Sequence, residues 1–96
     1  MATVRIIAWA EAREGKADEL RSLMRQMLKP TRSEHGCRFY EMFESNVSGV
    51  FIMNELWESQ ADIDAHIKSK HITEAFAKMQ DLVKGPPQIH LLTEVN

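Results

Sequence analysis

The chain has 96 residues, 44% of them hydrophobic and 27% charged, with a net charge of −2, enough for one domain whose core buries roughly 60–70% of the surface. That balance, without a basic stripe carrying interleaved aromatics, argues against a nucleic-acid surface, and no run approaches the ~18 apolar residues of a membrane span. The N-terminal MATVRIIAWAEA turns acidic before any signal-peptide pattern develops, and the lone Cys37 excludes an internal disulfide, so a reducing, cytoplasmic location is expected.

The segment TVRIIAWAEA, residues 3–12, is β-branched and aromatic and predicts a strand. Residues 13–15 supply a turn. From Lys16 the period changes: Leu20, Leu23, Met24, Met27 and Leu28 recur at helical spacing, with Asp18 and Glu19 where the helix dipole favours acids. Pro30 has no amide hydrogen and disfavours helix at Lys29, so the helix is expected to end or kink there, with 31–36 forming a short turn. Residues 37–45 and 50–58 read as two strands joined by the hairpin-length loop NVSG. Ser59 stands in an N-cap position with Asp62 three residues on, opening a short helix over 60–68. A second helix restarts at Ser69 and places Ile72, Ala75, Phe76, Met79, Leu82 and Val83 on one stripe until GPP at 85–87. Residues 88–95 predict a last strand. The order β-α-β-β-α-β specifies an α+β, ferredoxin-like fold: a four-stranded antiparallel sheet with its helices on one face.

The other face of such a sheet should be polar if it meets water, yet apolar residues fall on both. In the first strand Val4, Ile6, Ala8 and Ala10 oppose Ile7 and Trp9; in the third, Phe51, Met53 and Trp57 oppose Ile52 and Leu56. The second strand sets Phe39 and Phe43 against Tyr40 and Met42, and Tyr40 and His90 are expected on the outer face. An uncovered face of this kind exceeds the usual apolar patch of a monomer, and a homodimer packed sheet against sheet, a dimeric α+β barrel, is the expected assembly.

The stretches IIAWAEAREGKADEL, KPTRSEHGCRFYEMFES, FIMNELWES, DAHIKSKHITEAF and GPPQIHLL together resemble the antibiotic biosynthesis monooxygenase (ABM) superfamily, above all its small quinol-monooxygenase-like members. The resemblance covers nearly the whole chain and implies dimers with a pocket between the helices and the sheet of each subunit. It also implies oxygenation without metal or flavin, on an electron-rich phenol or quinol whose anion passes an electron directly to O₂. Relatives that degrade heme carry an Asn, a Trp and an axial His where this chain has Ala8, Trp57 and Phe76; phenylalanine offers iron no donor. Family members often have Tyr where Asn54 stands, and some have Asn at Met53.

Such chemistry needs a dry aromatic pocket and a group that takes the phenolic proton. Trp57, Phe51, Met53, Phe39 and Phe76 are the candidate substrate-binding residues, and His71, His66 and Glu55 the candidate catalytic ones. His71 falls beside the apolar stripe of its helix, a position suited to the lip of a pocket. His66 flanks Ile63 and Ile67, with Asp62 one turn earlier to fix its tautomer. Glu55 shares the parity of Trp57 and reads as a partly buried base or, slightly favoured, as the ion-pair partner of Arg5, Arg38 or another basic side chain. Asn54 lies on the opposite strand face. No metal is expected, because His66 and His71, five apart, stand about 140° out of line on one continuous helix, and Cys37 lacks a paired cysteine. The expected function is oxidation of a small aromatic quinol or polyphenol by O₂ without a cofactor. The alternatives are an isomerase or processing enzyme for a small oxygenated metabolite, which would want Arg or Lys in the pocket for a phosphorylated substrate, and a non-catalytic dimeric ligand-binding protein.

Overall fold

In a computed structural model of the chain, residues 3–95 are described. The elements run β1 Val4–Glu11, α1 Ala17–Arg32, β2 Cys37–Glu44, β3 Val50–Trp57, α2 Gln60–Ile67, α3 Lys70–Met79 and β4 Gln88–Leu92. The sheet order is β2-β3-β1-β4, antiparallel throughout, and this is the ferredoxin-like α+β arrangement with its second helical segment split in two. The split follows from Ser59 and Ser69. Ser59 caps α2, its hydroxyl accepting from the Asp62 amide at 3.2 Å and donating to the Asp62 carboxylate at 2.8 Å. Ser69 turns extended between the helices and accepts the Thr73 amide on its carbonyl, starting α3.

Directly paired residues share a face, so the register sorts the sheet. On the helix side lie Val4, Ile6, Ala8 and Ala10 of β1, opposite Trp57, Glu55, Met53 and Phe51 of β3. Leu20, Leu23 and Met24 of α1, Ile63 of α2 and Ile72, Ala75 and Met79 of α3 close over them to form the core.

Three sequence expectations are corrected. First, β2 carries a bulge between Cys37 and Phe39. It breaks the two-residue alternation, so Tyr40 turns inward and is buried, while Phe39 and Phe43 turn outward with Leu56 and Ile52. Phe39 ends 5.1 Å under the Arg5 guanidinium on the outer face. Second, α1 continues through Pro30 to Arg32. Proline removes one ladder bond in the final turn, and wholly buried Thr31 anchors that turn, with Arg32 donating to the Tyr40 carbonyl at 3.0 Å. Third, α3 stops at Met79, and β4 ends at Leu92. Leu82 and Val83 are buried as their periodicity requires, but the backbone there pairs with the end of β1: Arg13 donates to the Leu82 carbonyl at 2.8 Å and Lys84 to that of Glu11 at 2.7 Å.

Candidate functional site

The two inward alanines of β1 are too small to reach the helices above them, and the space they leave is a cavity of about 210 Å³. Its floor includes Ala8, Ala10 and Met53. Met24, Met27, Ile63, Ile72 and Ala75 hang from the helices, and Phe76 with Ile89 stands on the β4 side. Phe76, Met79, Pro87 and Ile89 also line a shallower groove at the surface that reaches Arg13 and Gln80, giving the cavity a mouth between α3 and β4. Against this apolar lining the groups able to exchange a proton are Tyr40, Glu55 and His66; among the described residues no lysine or arginine lines it.

Glu55 comes from β3, whose inward parity it shares with Trp57. The expected ion pair with Arg5 or Arg38 does not form: Arg5 donates to Asn54 at 2.9 Å on the outer face, and Arg38 lies 3.6 Å from Glu58. Instead the Trp57 indole N–H donates to Glu55 Oε1 at 2.9 Å. Burial pushes the Glu55 carboxyl up to about 7; the indole bond works against that rise and the charge of Glu34 adds to it. Its second oxygen has no hydrogen-bond partner among the described residues, and no unpartnered side-chain oxygen or nitrogen there is sealed from solvent, so that oxygen remains open on the cavity side.

His66 projects from α2 into the same wall, its ring 4.6 Å from the Trp57 ring and 5.9 Å from Tyr40. Burial lowers its pKa while Glu34 opposes the fall, so the neutral imidazole is favoured near pH 7. The expected partner Asp62 is engaged elsewhere, with His35 Nδ1 at 2.8 Å and Ser59. The carboxylate that meets His66 is Glu34, from the turn between α1 and β2: Oε2 lies 2.6 Å from His66 Nδ1 and 3.0 Å from His71 Nε2. Glu34 carried no signal in the sequence, since it lies 32 and 37 positions from the two rings it joins. These three donors form a compact group, as do His35, Glu58 and Asp62 at the surface. The 2.6 Å separation marks a hydrogen bond: two atoms bound to one ion at about 2.1 Å sit about 3 Å or more apart when their bonds meet at 90° or wider.

The remaining predicted residues divide. Met53 and Phe76 border the cavity with His66 and Glu55. Phe51 and Trp57 are wholly buried behind it, Phe51 with the Arg21 guanidinium 5.5 Å from its ring, and neither forms the wall; neighbouring Met53 and Glu55 occupy that position. Phe39 is on the far side of the sheet. His71 is turned away from the cavity toward Glu34 and the Thr31 hydroxyl at 3.3 Å, because it opens α3 at the end facing α1. Tyr40, assigned outward from the sequence, joins the cavity instead; burial holds its phenol above the usual range.

The sequence pattern described as "Antibiotic biosynthesis monooxygenase" matches residues 3–78. The chain belongs to the antibiotic biosynthesis monooxygenase family. Within it, the chain is 31% identical over 93 residues to "Putative monooxygenase Rv0793" of Mycobacterium tuberculosis, an alignment covering 97% of this chain and 92% of that protein. The solved structure of Rv0793 superposes with a TM-score of 0.93 at 30% identity, over 99% of this chain and 97% of the other. PA3566 from Pseudomonas aeruginosa gives a TM-score of 0.93 at 25% identity, over 100% and 97% of the two chains. The family match takes in β1 to β3, α1, α2 and most of α3, and the superposition on Rv0793, over 99% of this chain, continues through β4.

Proposed function

We propose that the protein is a cofactor-independent monooxygenase that oxidises a small aromatic quinol or polyphenol with O₂, acting as a single-domain homodimer in the cytoplasm. The observation that carries this reading is the apolar cavity with a carboxyl and an imidazole in its wall, the carboxyl pushed up by burial to about 7 and the imidazole held down by burial, so that it stands neutral with a lone pair to accept a proton. Apolar cavities of roughly 150 Å³ take up benzene, so about 210 Å³ suits one or two fused rings. The absence of lysine and arginine among the described residues of the lining favours an uncharged substrate over a phosphorylated one.

His66, with Glu55 beside it, removes the phenolic proton. The resulting anion passes one electron to O₂, and superoxide recombines with the ring radical at a carbon bearing hydrogen. The proton returns to the peroxide, water leaves, and the ring is left as a hydroxyquinone. One oxygen atom of O₂ enters the product and the other departs as water. The dry walls of methionine, isoleucine and phenylalanine suit this sequence because they keep the anion and superoxide away from bulk water.

The test is O₂ consumption with a reduced naphthoquinol above its autoxidation rate. Removing the base by His66→Ala should lower kcat about a hundredfold, the lower end for a general base because Glu55 remains. An unchanged rate in that variant removes His66 from the chemistry, and equal turnover without O₂ replaces the oxygenase by an isomerase. The dimer rests on the outer sheet face, where Trp9, Phe43 and Leu92 are 39%, 51% and 43% exposed. Placing a charge there with Trp9→Glu should convert a dimer of about 22 kDa, twice the 11.1 kDa chain, into monomer in sedimentation velocity at micromolar concentration; a parent that already sediments as monomer refutes the assembly.

A further inference from the structure

Glu34 has no place in the chemistry above, yet one of its oxygens receives both rings of the cluster. Oε2 lies 2.6 Å from His66 Nδ1 and 3.0 Å from His71 Nε2, and among the described residues its ion-pair contacts are these two histidines. A carboxylate oxygen accepts and does not donate, so each of those ring nitrogens carries its hydrogen toward Glu34. A neutral imidazole has one N–H. For His66, that hydrogen being on Nδ1 leaves Nε2 bare, and Nε2 has no hydrogen-bond partner among the described residues while its residue borders the cavity.

We propose that Glu34 locks His66 in the Nδ1–H tautomer, so that a lone pair on Nε2 faces the cavity, and that His71 is the second clamp on Glu34 and not a base. Glu34 and His71 are positioning residues that act through His66. Neutral imidazole in water prefers its hydrogen on Nε2, which would present a donor to the substrate hydroxyl and abolish the acceptor. Glu34 reverses that preference, and its charge then stabilises the imidazolium once Nε2 takes a proton. His71 contributes from the start of α3, with Thr31 Oγ1 3.3 Å and Ser69 Oγ 3.5 Å from the same nitrogen. Each of the three residues thus comes from a different segment, and α1 and α3 pack directly against each other to hold them together.

The inference rests on the proposed role of His66 as the base, but its first readout does not. ¹⁵N-detected NMR of the substrate-free protein at pH 7.5 should show the His66 ring protonated at Nδ1 and bare at Nε2. In Glu34→Ala the hydrogen should move to Nε2 while the melting transition stays cooperative. A parent protonated at Nε2, or a tautomer indifferent to Glu34→Ala, overturns the proposal whatever the activity. The second readout is turnover of a reduced naphthoquinol. His71→Ala should lower kcat at least tenfold and His71→Gln, whose amide N–H can still reach Glu34, should restore most of it. If His71 were the base both variants would be equally slow, and that result overturns its assignment as a clamp. Where the tautomer behaves as stated and the protein turns over no quinol, the lock stands and the oxygenase reading falls.

Discussion

Replacing Glu55 with glutamine should stabilise the protein by about 3 kcal/mol at pH 8 and by almost nothing at pH 4. In the unfolded chain this carboxyl loses its proton near 4.5, and in the fold near 7. Between those values the native state holds a proton that the unfolded state has released, so rising pH weakens the fold across that window. Below it both states are protonated and the penalty vanishes; above it the whole penalty applies, about 3 kcal/mol for a shift of that size at 1.36 kcal/mol per unit. Glutamine has the shape of the protonated acid and still accepts the Trp57 indole N–H. At 4–8 °C per kcal/mol for a domain of this size, the variant should melt on the order of 10 °C or more above the parent at pH 8. His66 works in the opposite direction: its lowered pKa makes it a source of acid destabilisation below 6.5. Comparing variant and parent at each pH removes that contribution. A stability difference that stays flat from pH 4 to pH 8 would mean the carboxyl is not shifted. The same substitution should slow quinol turnover, because the group that strains the fold is one that the proposed chemistry uses.

That strain was partly legible in the sequence. The alternation through β1 and β3 placed Glu55 on the face of Trp57, and a carboxylate among inward apolar residues has to be desolvated. The sequence slightly favoured an ion pair for it, however, and whether Arg5 reaches Glu55 or Asn54 depends on strand face: Arg5 sits opposite Leu56, on the outer side. In β2 the expected alternation of Phe39 and Phe43 against Tyr40 and Met42 is present, but the two sets take the opposite faces for a physical reason. Alternation is a local rule, and one extra residue at the bulge reverses every side chain that follows. Phe39 and Tyr40 were exchanged by that single irregularity, and the cavity exchanged an expected ring for a phenol.

The helices show the same boundary between local and tertiary information. The Ser59 cap and the buried Ile72, Ala75 and Met79 of the α3 stripe depend on neighbours within a turn or two, and both are present, although Phe76 of that stripe stays exposed. The endpoints of α1 and α3 depend on what packs beyond them. Thr31, buried against the rest of the fold, carries α1 past Pro30, whereas the end of β1 draws Leu82 and Val83 out of α3. Glu34 lies wholly on the tertiary side. It sits in a turn, has no spacing relation to His66 or His71, and becomes visible only when α1, α2 and α3 converge. For the histidines, five positions apart across a helix break, angles computed on one continuous helix also lost their meaning; both rings end on one oxygen.

The largest structural effect should come from Trp57, which is fully buried, lies against the His66 ring and donates to Glu55. Trp57→Ala should cost about 3–5 kcal/mol, the range for emptying a large aromatic site in a core, which removes much of the 5–15 kcal/mol that holds a domain folded. Trp57→Phe separates volume from hydrogen bonding. Phenylalanine refills most of the space but leaves Glu55 without its N–H donor, and that donor is the influence holding the carboxyl pKa down against burial and Glu34. A charged acceptor needs the donor more than a neutral one does. Urea unfolding should therefore show a loss of about 1 kcal/mol for Trp57→Phe at pH 5 and about 2 kcal/mol at pH 8, with the ionisation of Glu55 displaced above its parental value near 7. Equal losses at the two pH values would show that the indole only fills space. A loss that grows with pH identifies Trp57 as the residue that keeps a buried base ionisable near neutrality, which puts its influence on the cavity one layer behind the wall.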